Sequence, residues 1–244
     1  MSGYLGLEIR RGLRDVRYLL LAVAMPVGFY LLFTALFGVH GERAEGLPQP
    51  VELMVAMTAY GAMWAVFSAT GPRIAQERQI GWLRQLRLTP MPARSVIVGR
   101  VLASMVIALP AMVLVCLTAV LAHDVRLSAG GWLAMLASMW VATIPLALLG
   151  VAIGYLVPSD AAFGVIMGLY FALGALGGLW MPAEILPRTL QRIALALPSN
   201  RLADIGWKIA AGSPPTASTL LVLVAWTIGC GMLAFVAYRS AQAQ

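Results

Sequence analysis

Apolar residues run along this chain in long blocks, each closed by a short polar or proline-containing break. Six blocks can be traced, at 18–38, 51–71, 97–121, 132–157, 161–181 and 217–238. A bilayer's hydrocarbon core needs about 20 apolar residues of helix to cross it. The pattern therefore predicts an all-α integral membrane protein with six transmembrane helices, built as one transmembrane domain over 1–244. Pro110 and Pro145 fall inside the third and fourth blocks. A helix packed among neighbours can absorb such a kink.

Three stretches depart from this scheme. In 1–17, at about 100° per residue, Leu5, Ile9, Leu13 and Val16 share one face. Arg10, Arg11, Arg14 and Arg17 take the opposite face. That is the form of an interfacial helix lying among headgroups; a basic flank that only orients the first span is the alternative. In 182–216, Leu186, Leu190, Ile193 and Leu197 repeat at helical spacing, and Leu202, Ile205 and Ile209 mark a second helix. Ser199 or Asn200 is placed to cap that second helix. Both helices are too short to span, so the segment reads as an outer hairpin, re-entrant or interfacial, with a plain extracellular cap as the alternative.

The third stretch is 73–96, which contains ERQIGWLRQLRLTPMP, Glu77 to Pro92. Drawn as a helix from Gln76 to Thr89, it gathers Trp82, Leu83 and Leu86 within about 100° of arc and turns Arg84 and Arg87 to another face. Pro90 and Pro92 stop the helix near Thr89. A short amphipathic helix tied to two spans is a suitable handle for a partner's groove; a basic loop with no partner is the alternative. The pairs Gly150–Gly154, Gly164–Gly168 and Gly174–Gly178 let helices approach closely, within the chain or, for the fifth-span pairs, between subunits.

Composition supports the membrane reading. The chain is 61% hydrophobic and 11% charged, against about 45–50% and about 25% in soluble domains. The net charge of +7 is carried by arginines beside the apolar blocks. That favours anionic lipid and the positive-inside rule over nucleic acid. Eleven Lys/Arg fall in 1–17, in 73–96 and at Arg100 and Arg239, against six on the other side. The 73–96 loop and both termini are therefore expected in the cytoplasm.

Several kinds of chemistry find no residues. There is no glycine-rich phosphate loop, so the chain is not expected to bind a nucleotide or other cofactor itself. His40 and His123 stand alone, no metal-ligand spacing occurs, and no nucleophile, base and acid are grouped into a catalytic set. Cys116 and Cys230 lie in apolar blocks and read as small buried side chains. No carboxylate or lysine sits mid-span, where an ion-coupled carrier keeps one. Any energy must enter from a partner, and 73–96 is its best point of entry.

ERQIGWLRQLRLTPMPARSVIVGR, Glu77 to Arg100, resembles the membrane subunit of ABC-2-type ABC transporters. Glu77, Gly81, Leu83, Leu86, Thr89 and Pro90 fit that family's pattern, whereas Trp82 and Arg84 stand where many relatives have smaller or variable residues. MPAEILPRTLQRIALALPSNRLADIGWKIAAG matches the proline-flanked helical segment before the sixth span. The resemblance implies a half-transporter in the plasma (inner) membrane, multi-pass. Two permease chains, identical or homologous, would each dock an ABC ATP-binding subunit, and those two copies would bind ATP and Mg. It assigns ATPase coupling to Glu77, Arg78, Gly81, Trp82, Leu83, Arg84, Leu86, Arg87, Thr89 and Pro90. It also puts the N-terminal helix near the ATPase.

On this resemblance, substrate is expected along the pair's interface, from the second and fifth spans. Tyr60, Trp64, Phe67 and Ser68 recur on one, and Phe163, Met167, Tyr170 and Phe171 on the other. Such a lining suits export of a hydrophobic or amphiphilic compound, drug-like or lipid-like, although packing is the alternative role for these residues. A polysaccharide or glycolipid exporter is the alternative within the class. A lipid-modifying membrane enzyme, from another class, needs clustered acids or histidines that the sequence lacks.

Overall fold

The computed structural model describes residues 16–37, 46–81, 93–180 and 187–243, the side chains of 16–22, 37, 93 and 242–243 excepted. Among these residues the chain is helical, without strands. The helices are α1 (Val16–Phe37), α2 (Gln49–Gln79), α3 (Ala93–His123), α4 (Ala129–Ala142), α5 (Ile144–Leu156), α6 (Ser159–Leu176), α7 (Arg188–Ala196), α8 (Pro198–Ala210) and α9 (Ala217–Ala243). Five stretches are long and apolar enough to cross a membrane: α2, α3, the α4–α5 pair, α6 and α9. α1 adds the shorter apolar segment Val23–Leu36.

The fourth apolar block is two helices, not one. Pro145 has no N–H to donate, and the helix breaks at Thr143, whose hydroxyl donates to Trp140 O at 2.6 Å. The second block runs past its predicted end. α2 passes through Pro72 and stops only at Gln79, followed by Ile80 and by Gly81 at φ +77°. Glycine enters that left-handed region without a Cβ penalty and so ends the helix there. The continuous helix expected from Gln76 to Thr89 is thus corrected: Glu77 and Arg78 belong to the spanning helix α2.

α2 is the centre of the bundle. It packs against α1, α3, α5, α6 and α8, while α9 lies on α5. Its apolar window is 89% buried, against 28% for α6 and 22% for α9. The α2–α5 contact is close. A β-carbon placed on Gly154 would lie 2.7 Å from Ile74 Cβ and 2.8 Å from Gly71 O. Gly150–Gly154 therefore serves packing within the chain. Gly164 and Gly168 face open space on α6 instead.

The 187–212 segment forms the two expected helices, and α8 sinks into the bundle. Gly206 lies between Val55 of α2 and Met139 of α4, whose sulfur a β-carbon would approach to 2.6 Å. At about 1.5 Å per residue those contacts lie about 9 Å and about 15 Å from the N-terminal ends of α2 and α4. Ser199 and Asn200 do not cap α8, which starts at Pro198. Their side chains donate to Leu173 O at 2.8 Å and Gly177 O at 3.0 Å, satisfying carbonyls at the end of α6. Asp204 accepts from Thr219 of α9 and pairs with Arg201 and Lys208 at 3.8 and 3.7 Å. Trp207 Nε1 donates to Glu52 O at 3.0 Å. At the same end of the bundle Tyr30 and His123 share a hydrogen bond of 3.0 Å, so His123 ties α1 to α3.

Candidate functional site

Two assemblies hold the predicted site residues that the structure describes. The first is the charged end of α2. Glu77 accepts a charge-assisted hydrogen bond from Arg100 Nη2 of α3 and lies 3.8 Å from Arg73 Nε, one turn back on its own helix. Arg100 is 3% exposed. A buried guanidinium is tolerated only when paired, and Glu77 supplies that pair. Arg78 turns the other way. Its guanidinium donates to Tyr155 O and, at 2.8 Å, to Val157 O, at the C-terminal end of α5. Helix C-termini leave carbonyls without intrahelical partners and carry negative dipole charge, so a planar cation with two parallel donors fits there.

Glu77 and Arg78 thus face inward, towards α3 and α5, and Gly81 ends their helix. Trp82, Leu83, Arg84, Leu86, Arg87, Thr89 and Pro90 lie outside the described residues, as do Arg10, Arg11 and Arg14 and the side chain of Arg17.

The second assembly is an aromatic column between α2 and α6. Tyr60 and Tyr170 stack with centroids 4.1 Å apart and planes 20° from parallel. Trp64 meets Tyr170 at 5.1 Å and Phe163 edge-on at 6.5 Å, and Tyr170 meets Phe171 at 5.7 Å. Such offset and edge-on pairs add to burial alone. Tyr60 and Tyr170 are buried, whereas Phe163 is 45% exposed on the uncovered face of α6. Phe67 and Ser68 do not join the column. Phe67 is buried beside Gly150 of α5, and the Ser68 hydroxyl donates to Ala65 O at 3.2 Å. Met167 is half-buried against the core.

Two members escaped the sequence reading. Phe29 of α1 lies 6.0 Å from Tyr60 and 6.1 Å from Trp180, and Trp180 lies 5.7 Å from Tyr60 and 5.8 Å from Phe171. Trp180 stands just past Gly178, whose φ of +74° turns the chain after α6. No signal in the sequence brings α1 to this place.

The column also concentrates polar atoms. The hydroxyls of Tyr60 and Tyr170 and the indole N–H of Trp180 lie close together without reaching hydrogen-bond geometry, and the indole N–H of Trp64 likewise has no partner. Buried donors of this kind are uncommon in folded proteins. An apolar groove of about 570 Å³, lined by residues such as Pro145, Ile205, Leu223 and Ile228, lies apart from the column, between α4, α5, α8 and α9.

Residues 5–204 match the family model described as ABC-2 type transporter. The chain is also similar to a protein of Bacillus subtilis (strain 168) that carries the provisional name transport permease YvfS. The two are 29% identical over 221 residues, covering 90% of this chain and 89% of that protein. With most of its length inside the family model and its helices arranged as a multi-pass membrane bundle, the chain belongs to the ABC-2 type transporter family of membrane permeases.

Proposed function

We propose that this chain is the permease subunit of an ATP-driven exporter that moves a hydrophobic or amphiphilic compound out across the plasma membrane. Two copies, or this chain and a homologue, form the path, and two ABC ATP-binding subunits supply ATP and Mg. Both termini and the 73–96 loop face the cytoplasm. The chain after Gly81 seats Trp82, Leu83 and Leu86 as an apolar edge in a groove of the ATPase. Substrate passes along α2 and α6, beside Tyr60, Trp64, Phe163, Tyr170 and Phe171.

One observation carries this reading: the buried helix α2 holds both assemblies. Its charged end adjoins the basic loop, and about four turns away it bears Tyr60 and Trp64. A displacement of the loop therefore reaches the aromatic column through a single helix. The uncovered α6 face with Gly164, Gly168 and Phe163 supports a second permease chain there. The unsatisfied N–H and O–H donors favour an aromatic compound carrying hydrogen-bond acceptors over a plain hydrocarbon.

The test uses the affinity-tagged chain purified from its own membrane. The expected result is a co-purifying ATP-binding protein, Mg-dependent ATP hydrolysis, and ATP-dependent uptake of rhodamine 123, an aromatic ester, into inside-out vesicles. The chain by itself should not hydrolyse ATP. Hydrolysis by the isolated chain, or a functional unit lacking any ATP-binding protein, would overturn the proposal.

A further inference from the structure

We propose that Arg78 and Glu77 are positioning residues that make α2, α3 and α5 one moving block, against which α6 swings when ATP is used. This inference rests on the ATP-driven permease reading and says how its motion is divided.

Three kinds of contact bind the block. Glu77 holds α3 through Arg100, a pair withdrawn from water and so little screened. Arg78 holds the last carbonyls of α5 with two donors of one rigid fork. Gly150 and Gly154 bring α5 against α2 with no room for a methyl group, so these two helices cannot slide without lifting apart. The ties to α3 and α5 leave α2 from adjacent residues, Glu77 to one helix and Arg78 to the other. A displacement of the chain after Gly81 is therefore shared among three helices at its first turn.

α6 is held differently. It begins at Ser159, and Pro158, at φ −58° and ψ 151°, separates it from α5. The junction lies one residue beyond Val157, the second carbonyl that Arg78 grips. Arg78 thus fixes the near side of the hinge, while α6 beyond it is held, among the described residues, by no ion pair, its far end hydrogen-bonded to Ser199 and Asn200 of α8. α6 meets α2 through ring faces and through Ile166 against Gly71, surfaces that can part without breaking an ion pair. The boundary that opens is the one carrying the aromatic column.

The experiment uses the chain in complex with its co-purified ATP-binding subunit, with Cys116 and Cys230 replaced by alanine. Spin labels are placed at Gln76 and Leu156 in one sample and at Gln76 and Val165 in another, all exposed positions. Labelled chain is mixed with excess unlabelled chain so that only distances within one chain report. Each sample is measured without nucleotide and after trapping with Mg-ATP and orthovanadate.

The 76–156 distance should stay fixed and the 76–165 distance should change. Arg78→Ala should broaden or shift the 76–156 distribution on trapping. Rhodamine 123 uptake per ATP hydrolysed should fall by about tenfold or more, as loss of charge-assisted hydrogen bonds implies. Arg78→Lys, a single point donor without the fork, should fall between; it also serves if the alanine variant does not fold. A wild-type complex in which both distances change alike overturns the block while leaving the permease reading intact, as does an Arg78→Ala complex with an unmoved 76–156 distance and unchanged coupling. Absence of any ATP-dependent change in the wild type overturns both.

Discussion

Replacing Gly154 with alanine tests the α2–α5 contact directly. Two opposed effects decide the sign. Alanine gains about 1 kcal/mol over glycine in a helix interior. Its methyl group would sit 2.7 Å from Ile74 Cβ and 2.8 Å from Gly71 O. The second neighbour is backbone and cannot rotate away, so the helices must separate. Overpacking of this kind costs about 1–3 kcal/mol, and it should win by about 1 kcal/mol. Gly229 of α9 is the control, because nothing lies within 4 Å of its added carbon; Gly229→Ala should keep the helix gain alone. The two variants should differ by about 2 kcal/mol, which is roughly 4–8 °C in melting temperature for a chain of this size. A thiol-reactive dye reads the transition, because both cysteines are buried until the bundle opens. If Gly154→Ala melts at or above Gly229→Ala, the close approach of α2 and α5 is wrong.

Glu77→Ala and Arg100→Ala should each lower stability by about 1–3 kcal/mol through loss of their charge-assisted hydrogen bond, and the double variant should cost less than their sum; strict additivity in the melts would deny the pair. Tyr60→Phe and Tyr170→Phe should melt within about 1 kcal/mol of wild type, because the hydroxyls they remove make no hydrogen bond; a drop beyond about 2 kcal/mol would reveal a bond. Gly168→Leu should leave the chain folded but reduce the dimer fraction in light scattering, since its face is uncovered within one chain; an unchanged dimer fraction would place the subunit contact elsewhere. Asp204→Asn should weaken its link to Arg201, Lys208 and Thr219 and speed proteolysis near Gly212; equal cleavage rates would show that this cluster does not hold the hairpin.

Much of the architecture was legible because it follows from solvent. Long apolar runs have few alternatives to spanning helices when backbone groups must be satisfied internally. The 3.6-residue repeat announced α7 and α8, whereas Pro145 was read as a kink within one span and instead separates α4 from α5. The candidate site was legible by position but not by partner. Glu77 and Arg78 drew attention as charges in an apolar chain and suggested an outward docking role, yet their partners are Arg100 and the carbonyls of α5, far along the chain. Ser199 and Asn200 carried a cap signal, but the carbonyls ending α6 lay within reach and took their donors. Tyr60 and Tyr170 could be named from each span, whereas Phe29 and Trp180 could not, because only the packing of α1 and the turn at Gly178 bring them in.

By itself, then, the sequence determined the membrane class, the helical content and the family pattern in 77–100. Each rests on composition or on short-range periodicity, which a single segment carries. The tertiary structure decided which helix is central, which glycines are contacts and which are open face, that α8 sinks between α2 and α4, and that the end of α2 is tied in two directions. These depend on residues tens of positions apart meeting in space. No local pattern encodes them, because the free energy that selects them exists only once the helices are packed.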